Sequence, residues 1–333
     1  MKLFFCVILT TLFSFNLPAQ TGIGCDGARY RYRVFEAFSV DSNILYGSNV
    51  NATGSTVSLV MDIYQPVGDV VMNRPVVVVA HGGFFIGGSN DGTDVVPLCQ
   101  DLARMGYVAV SISYRLGISN FFALESSLQE AVIRGVQDAK AAVRYLRKTH
   151  AEDGNPWGID PERIVLGGSS AGAFIALHSA YVDDLSEIPS TVDFNANGLS
   201  GGIEGDSGSP GYSSDILSIF SISGAIGDVE WISSGNKPLV SVHGTSDGTV
   251  PFGTGYVQLS GINVTIVDGS EIVHNQADLL GLDNCFHVFP GAGHTPHQSS
   301  TQYYDTTRAV TVGFTSRQVC PLYPPICGWY DVD

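Results

Sequence analysis

The sequence predicts an α/β fold, with a mostly parallel central sheet, helices on both faces and an antiparallel N-terminal edge. Three observations carry that expectation. Apolar runs within 74–80, 164–166, 216–222 and 238–244 have the continuous Val/Ile/Leu character of strands covered on both faces. Between them, residues 125–149 place Leu128, Val132, Val136, Ala139, Val143 and Leu146 at spacings of three and four, the signature of a long amphipathic crossover helix. Upstream, 30–38, 42–50 and 56–64 alternate apolar and polar residues, as half-exposed antiparallel strands do.

Each further element follows in order. Residues 94–105 read as a helix and 107–113 as the next strand, with a last strand at 285–289. The short strand 164–166 runs into Gly168-Ser-Ser170-Ala-Gly172, after which small and apolar residues continue as a helix from Ala171 to about Tyr181. Residues 182–214 break the rhythm, being rich in Gly, Ser, Asp and Asn, and are expected to form a lid-like insertion. The chain divides into 1–19, 20–316 as one α/β domain, and 317–333 as a tail.

The chemistry is concentrated at strand ends. Gly168-x-Ser170-x-Gly172 is a nucleophile elbow, a strained strand-to-helix turn that lifts one hydroxyl out of the sheet. Ser170 then lies at a helix N-terminus, where free N–H groups favour developing negative charge. A serine hydroxyl needs a base, and the base needs an acid to orient it. Asp247 follows the 238–244 strand and His294 follows the 285–289 strand, giving the order serine, acid, histidine. Asp228 and Asp283 compete as the acid, and His297 as the base; His243, His274 and His287 read as strand or helix residues with local partners. The glycine-rich turn after the 74–80 strand, His81-Gly82-Gly83-Phe84-Phe85, can present backbone N–H groups. Gly82, Gly83 and Ala171 are therefore the candidate donors of an oxyanion hole. Asp138 and Arg115 read as structural ion-pair residues.

From about Met61 to His297 the chain resembles the α/β-hydrolase superfamily, in the esterase branch of hormone-sensitive-lipase-like and bacterial feruloyl-esterase-type enzymes. The resemblance rests on Asp62-Ile-Tyr-Gln-Pro66, His81-Gly-Gly83, Ser113-Tyr-Arg-Leu116, the stretch from Asp138 to Arg147 and that from Asp160 to Gly172. Two departures stand out: Phe84 replaces a third glycine, and Ser169 replaces an acidic residue before the nucleophile. The resemblance implies an α/β-hydrolase fold and a serine carboxylesterase working through an acyl-enzyme, with no cofactor and no metal. Its substrate would be a small-molecule or polymer-linked ester. A serine peptidase or amidase on the same fold, and a noncatalytic hydrolase-like binding module, are the alternatives.

Composition bounds the rest. Lys2 followed by the apolar run 3–15 and Leu17-Pro-Ala19 reads as a cleavable signal peptide, so the mature chain is expected outside the cytoplasm, secreted or periplasmic. The run is short for a membrane span. A net charge of −16 argues against nucleic acid or an anionic membrane as partner. Of the cysteines beyond that leader (Cys25, Cys99, Cys285, Cys320, Cys327), the favoured disulfide joins Cys320 to Cys327 across a short loop. Asp193, Asn195, Asn197, Gly198 and Glu204 have the spacing of a calcium loop, although the nearby prolines and glycine leave no room for flanking helices, and an Asx-turn loop is the alternative.

Overall fold

The computed structural model describes residues 24–325 and 327. The expected signal peptide at 1–19 lies outside the described residues. Among the described residues, eleven strands and five α-helices occur in the order β1 Phe38–Val50, β2 Thr56–Pro66, β3 Arg74–Ala80, α1 Val96–Arg104, β4 Val108–Ile112, α2 Leu124–Glu152, β5 Ile159–Ser169, α3 Ala171–Tyr181 and β6 Ser218–Ile222. There follow β7 Ala225–Ile226, β8 Leu239–Gly244, β9 Thr254–Leu259, β10 Ile262–Gly269, α4 Ser270–Leu280, β11 Asn284–Phe289 and α5 Thr301–Val319.

Eight strands form the central sheet in the order β1-β2-β4-β3-β5-β6-β8-β11. The β1/β2 and β2/β4 pairs are antiparallel, and the rest of the sheet is parallel. β3 shows why its valines are continuous. Val76, Val78 and Ala80 join the core that contains α2 and α3, while Val77 and Val79 join the opposite core with α1 and α5. Both faces of a parallel strand are thus buried, as crossover helices require.

Two expectations are corrected. Residues 30–38 form no strand before Phe38. Asp26 accepts the N–H groups of Ala28 and Arg29, and Tyr30 takes a left-handed φ of 67° while wholly buried. Its backbone N–H goes to Met105 and its ring packs on Tyr107, so a turn satisfies this segment where a ladder was expected. The cysteine pairing also differs. Cys25 joins Cys320 and Cys285 joins Cys327, leaving Cys99 as a buried thiol among the described residues. After Cys320 the chain turns, with the Tyr323 N–H donating to the Cys320 carbonyl at 2.9 Å, and Cys327 bonds Cys285 of β11 in place of Cys320.

The small antiparallel sheet β7-β10-β9, with α4 and α5, has no counterpart among the sequence expectations. α5 continues beyond residue 316 to Val319.

Candidate active site

β5 ends at Ser169 and α3 begins at Ala171, with Ser170 between them at φ 53°, ψ −114°. A side chain in that region costs on the order of 1–3 kcal/mol and persists only when its surroundings hold it. Here the Ser170 N–H donates to the Ile222 carbonyl at 2.8 Å, and its own carbonyl accepts from Ala173 and Phe174. The flanking glycines are forced by close approach. A Cβ on Gly168 would sit 2.5 Å from the Ala80 carbonyl oxygen, and one on Gly172 only 2.0 Å from the same atom.

Asp247 and His294 arrive from adjacent strands. β8 and β11 run parallel in register, Gly244 opposite Phe289, so the loops that follow them emerge at one rim of the sheet. Residues far apart in sequence meet there: His294 Nδ1 lies 2.7 Å from Asp247 Oδ2, and Nε2 lies 2.8 Å from Ser170 Oγ. The Asp247 side chain is fully buried, whereas that of His294 is 23% exposed. Burial alone would raise the Asp247 carboxyl. The hydrogen bonds from His243 and His294 and the N–H of Thr249 outweigh it and hold the group well below the usual carboxylate range.

His243 is the neighbour that sequence reasoning treated as local. Its Nε2 lies 3.1 Å from Asp247 Oδ2 and its Nδ1 lies 2.8 Å from Ser270 Oγ, all buried. Its spacing of four residues before Asp247 was the available signal. The rival acids and bases are engaged elsewhere. Asp228 caps the turn at Val229–Trp231, and Asp283 accepts from Arg317 and Gln318. His297 reaches the Asp94 carbonyl at 3.3 Å, while His274 stacks on Phe286 with Nδ1 against Asn284. His287 packs edge-on to Phe289.

The turn after β3 is pinned from both sides. His81 stacks on Tyr114, whose hydroxyl donates to the His81 carbonyl at 2.8 Å. The Gly82 N–H donates to Asp94 Oδ2 at 2.6 Å, so of the three candidate donors it already has a carboxylate partner. Gly83 has φ 114°, and a Cβ there would fall 2.2 Å from the Gly87 carbonyl oxygen. Phe84 and Phe85 follow with left-handed φ values of 56° and 59°. Ala171 is the first residue of α3, where an N–H has no acceptor within the helix.

Ser170 stands between unlike surroundings. Phe84, Phe85, Phe174, Val250 and Val257 make an apolar hollow on one side. On the other, His294 borders an open cleft with Thr93, Asp94, Thr295 and Gln298. The segment with calcium-loop spacing is organised differently: Asp193 Oδ1 accepts from Asn195 in an Asx turn, while Glu204 pairs with Lys140 and Arg144.

Residues 61–203 match the BD-FAE family model. The acetylcholinesterase of Gallus gallus is 33% identical over 125 residues, covering 38% of this chain and 16% of that protein. The chain spans only 15–16% of the length of the curated relatives it matches. Among solved structures, a propionate-bound thermophilic esterase from Thermogutta terrifontis superposes with a TM-score of 0.58 at 22% identity, over 83% of this chain and 93% of that one. A truncated carbohydrate esterase from gut microbiota gives 0.59 at 18% identity, over 86% and 98%. At those identities the structural likeness speaks for the fold alone. The chain has the fold of the α/β-hydrolases, and its residues 61–203 match an esterase family of that fold.

Proposed function

We propose that the protein hydrolyses carboxylic esters through an acyl-enzyme on Ser170. The observation that carries this reading is the hydrogen-bonded line Asp247–His294–Ser170, with links of 2.7 and 2.8 Å. In a neutral imidazole, Nδ1–H donates to Asp247 and the Nε2 lone pair faces the serine hydroxyl. Ser170 Oγ attacks the ester carbon as its proton passes to Nε2. The tetrahedral oxyanion then collapses, and the departing alcohol takes that proton from His294. Water repeats the sequence on the acyl-enzyme and restores Ser170. Asp247 stays ionised throughout and stabilises the imidazolium.

The Ala171 N–H at the start of α3 and that of Gly83 are the assigned oxyanion donors, each worth roughly 3–4 kcal/mol in such a site. Gly82, with its N–H held by Asp94, keeps the turn in place. The 182–214 segment acts as a cap, since its Ile188, Pro189 and Val192 wall an apolar hollow beside α3. Two disulfides favour an exported protein, because such bonds persist outside the reducing cytosol. Among the described residues no helix is long and apolar enough to cross a membrane.

The test is a stopped-flow burst with p-nitrophenyl acetate, followed by labelling with a fluorophosphonate. Wild type should release one equivalent of p-nitrophenol per chain in the burst. Ser170→Ala, with an unchanged circular dichroism spectrum, should lose both burst and label. An unaltered rate in that variant would sink the assignment.

A further inference from the structure

Two apolar hollows lie in line along α3. The first reaches Ser170 and Ala171 and is walled by Phe84, Phe85 and Val257. The second is walled by His178, Ile188, Val192, Gly227, Trp231 and Val267. Leu128, Val132 and Phe174 border both, so the same α2 and α3 side chains stand between them.

The helix supplies a ruler. Ser170, Phe174 and His178 follow one another at steps of four residues, which places them along one face. At about 1.5 Å of rise per residue, His178 lies about 12 Å along the axis from Ser170, the reach of an extended acyl chain of roughly eight to ten carbons.

The lining also selects by charge. No Asp, Glu, Lys or Arg borders the second hollow, and its polar members are Gln129, His178 and Thr265. His178 sits between Phe174 and Trp231, with Nδ1 2.8 Å from the Phe174 carbonyl. Burial brings its pKa down to about 4, so near neutral pH the ring carries no charge. The absent Cβ at Gly227 leaves room for the Trp231 indole, whose Cη2 lies 2.5 Å from where that carbon would be.

We propose that the second hollow is a subsite for the distal part of a medium-chain, uncharged acyl group, entered from Ser170 past Phe174. This rests on the ester-hydrolysis reading of Ser170. The carbonyl carbon would sit at the serine, the first carbons in the hollow of Phe84 and Phe85, and the chain end against Trp231 and Val192.

The experiment measures kcat/KM for p-nitrophenyl esters from acetate to dodecanoate, for wild type and for Val192→Trp and Ile188→Trp, which fill the second hollow. Wild type should peak at octanoate or decanoate. In each filled variant that retains its melting temperature, the octanoate-to-acetate ratio should fall at least about tenfold. A wild-type profile declining steadily beyond butyrate overturns the subsite, as does an unchanged ratio in a folded variant. Loss of turnover with every ester, acetate included, would instead refute the Ser170 reading beneath it.

Discussion

Asp247 accepts four hydrogen bonds on two oxygens. Oδ1 takes the N–H groups of Thr249 and Val250, and Oδ2 is shared by His243 and His294. The backbone pair fixes one edge of the carboxylate, and His243 fixes the other from within the sheet. Ser270 and Phe252 hold His243 in turn. His243 touches no reacting atom in the proposed chemistry and acts through Asp247 as a positioning residue. His243→Ala should therefore lower kcat by about tenfold or more while moving KM less than threefold, because the acid loses its alignment and the acyl side is untouched. His243→Gln, which keeps a donor, should recover part of the loss. Steady-state kinetics with a short-chain ester checks both. An equal fall in kcat and melting temperature that Gln fails to rescue would reduce His243 to a packing residue.

α5 is held at its C-terminal end by a covalent tie to the start of the described chain. Cys320 follows Val319 directly and bonds Cys25, 295 residues away. Tyr323 adds hydrogen bonds to Gly27 and Arg29 in the same corner. A cross-link closing so long a loop restricts the unfolded chain strongly, so Cys25→Ser with Cys320→Ser should cost roughly 2–5 kcal/mol, read by urea titration. Removing the 42-residue link between Cys285 and Cys327 should cost less. The same corner shows where sequence reading stops. β3, α2, the Ser170 elbow and α3 were legible because burial on two faces, helical spacing and forced glycines each leave a local mark. Cysteine pairing leaves none, since it depends on which distant segments the sheet brings together. The small β7-β10-β9 sheet was missed for a related reason: β7 is two residues long, and β9 and β10 are half exposed. The 182–214 segment carries no apolar periodicity, and its order comes from α2. Arg134, Gln137 and Arg144 donate to the carbonyls of Asn197, Gly202 and Glu204, while Arg115 pairs with buried Asp138. Among the candidate site residues, Ser170, Asp247 and His294 could be placed in order from strand ends alone. The engagement of Gly82 by Asp94 required the folded turn.

Over the molecule as a whole, stability at acid pH is set by two opposing effects. The net charge of −16 repels itself, and protonating carboxylates would relieve that repulsion as pH falls. Against it stand histidines buried in neutral form. Burial lowers His178 and His274 to about 4, and it pulls His81, His287 and His297 below their ordinary value as well. The sign follows from proton counts. Between a free-histidine pKa of about 6.5 and the folded value, the unfolded chain binds protons that the folded chain refuses, so stability rises with pH through that window. The contribution of His178 and His274 is complete above about pH 6.5 and is lost on descent toward about 4, at about 1.4 kcal/mol per pH unit for each ring. Most carboxylates titrate only at the bottom of this range, so relief of repulsion arrives late and the histidines dominate. The melting temperature should therefore fall steadily from pH 7 to 4.5. His274→Gln should flatten that descent by about one proton's worth, whatever it does to stability at pH 8. A melting temperature that climbs as pH drops through the window would mean that charge repulsion governs, and that the buried rings take up protons without penalty.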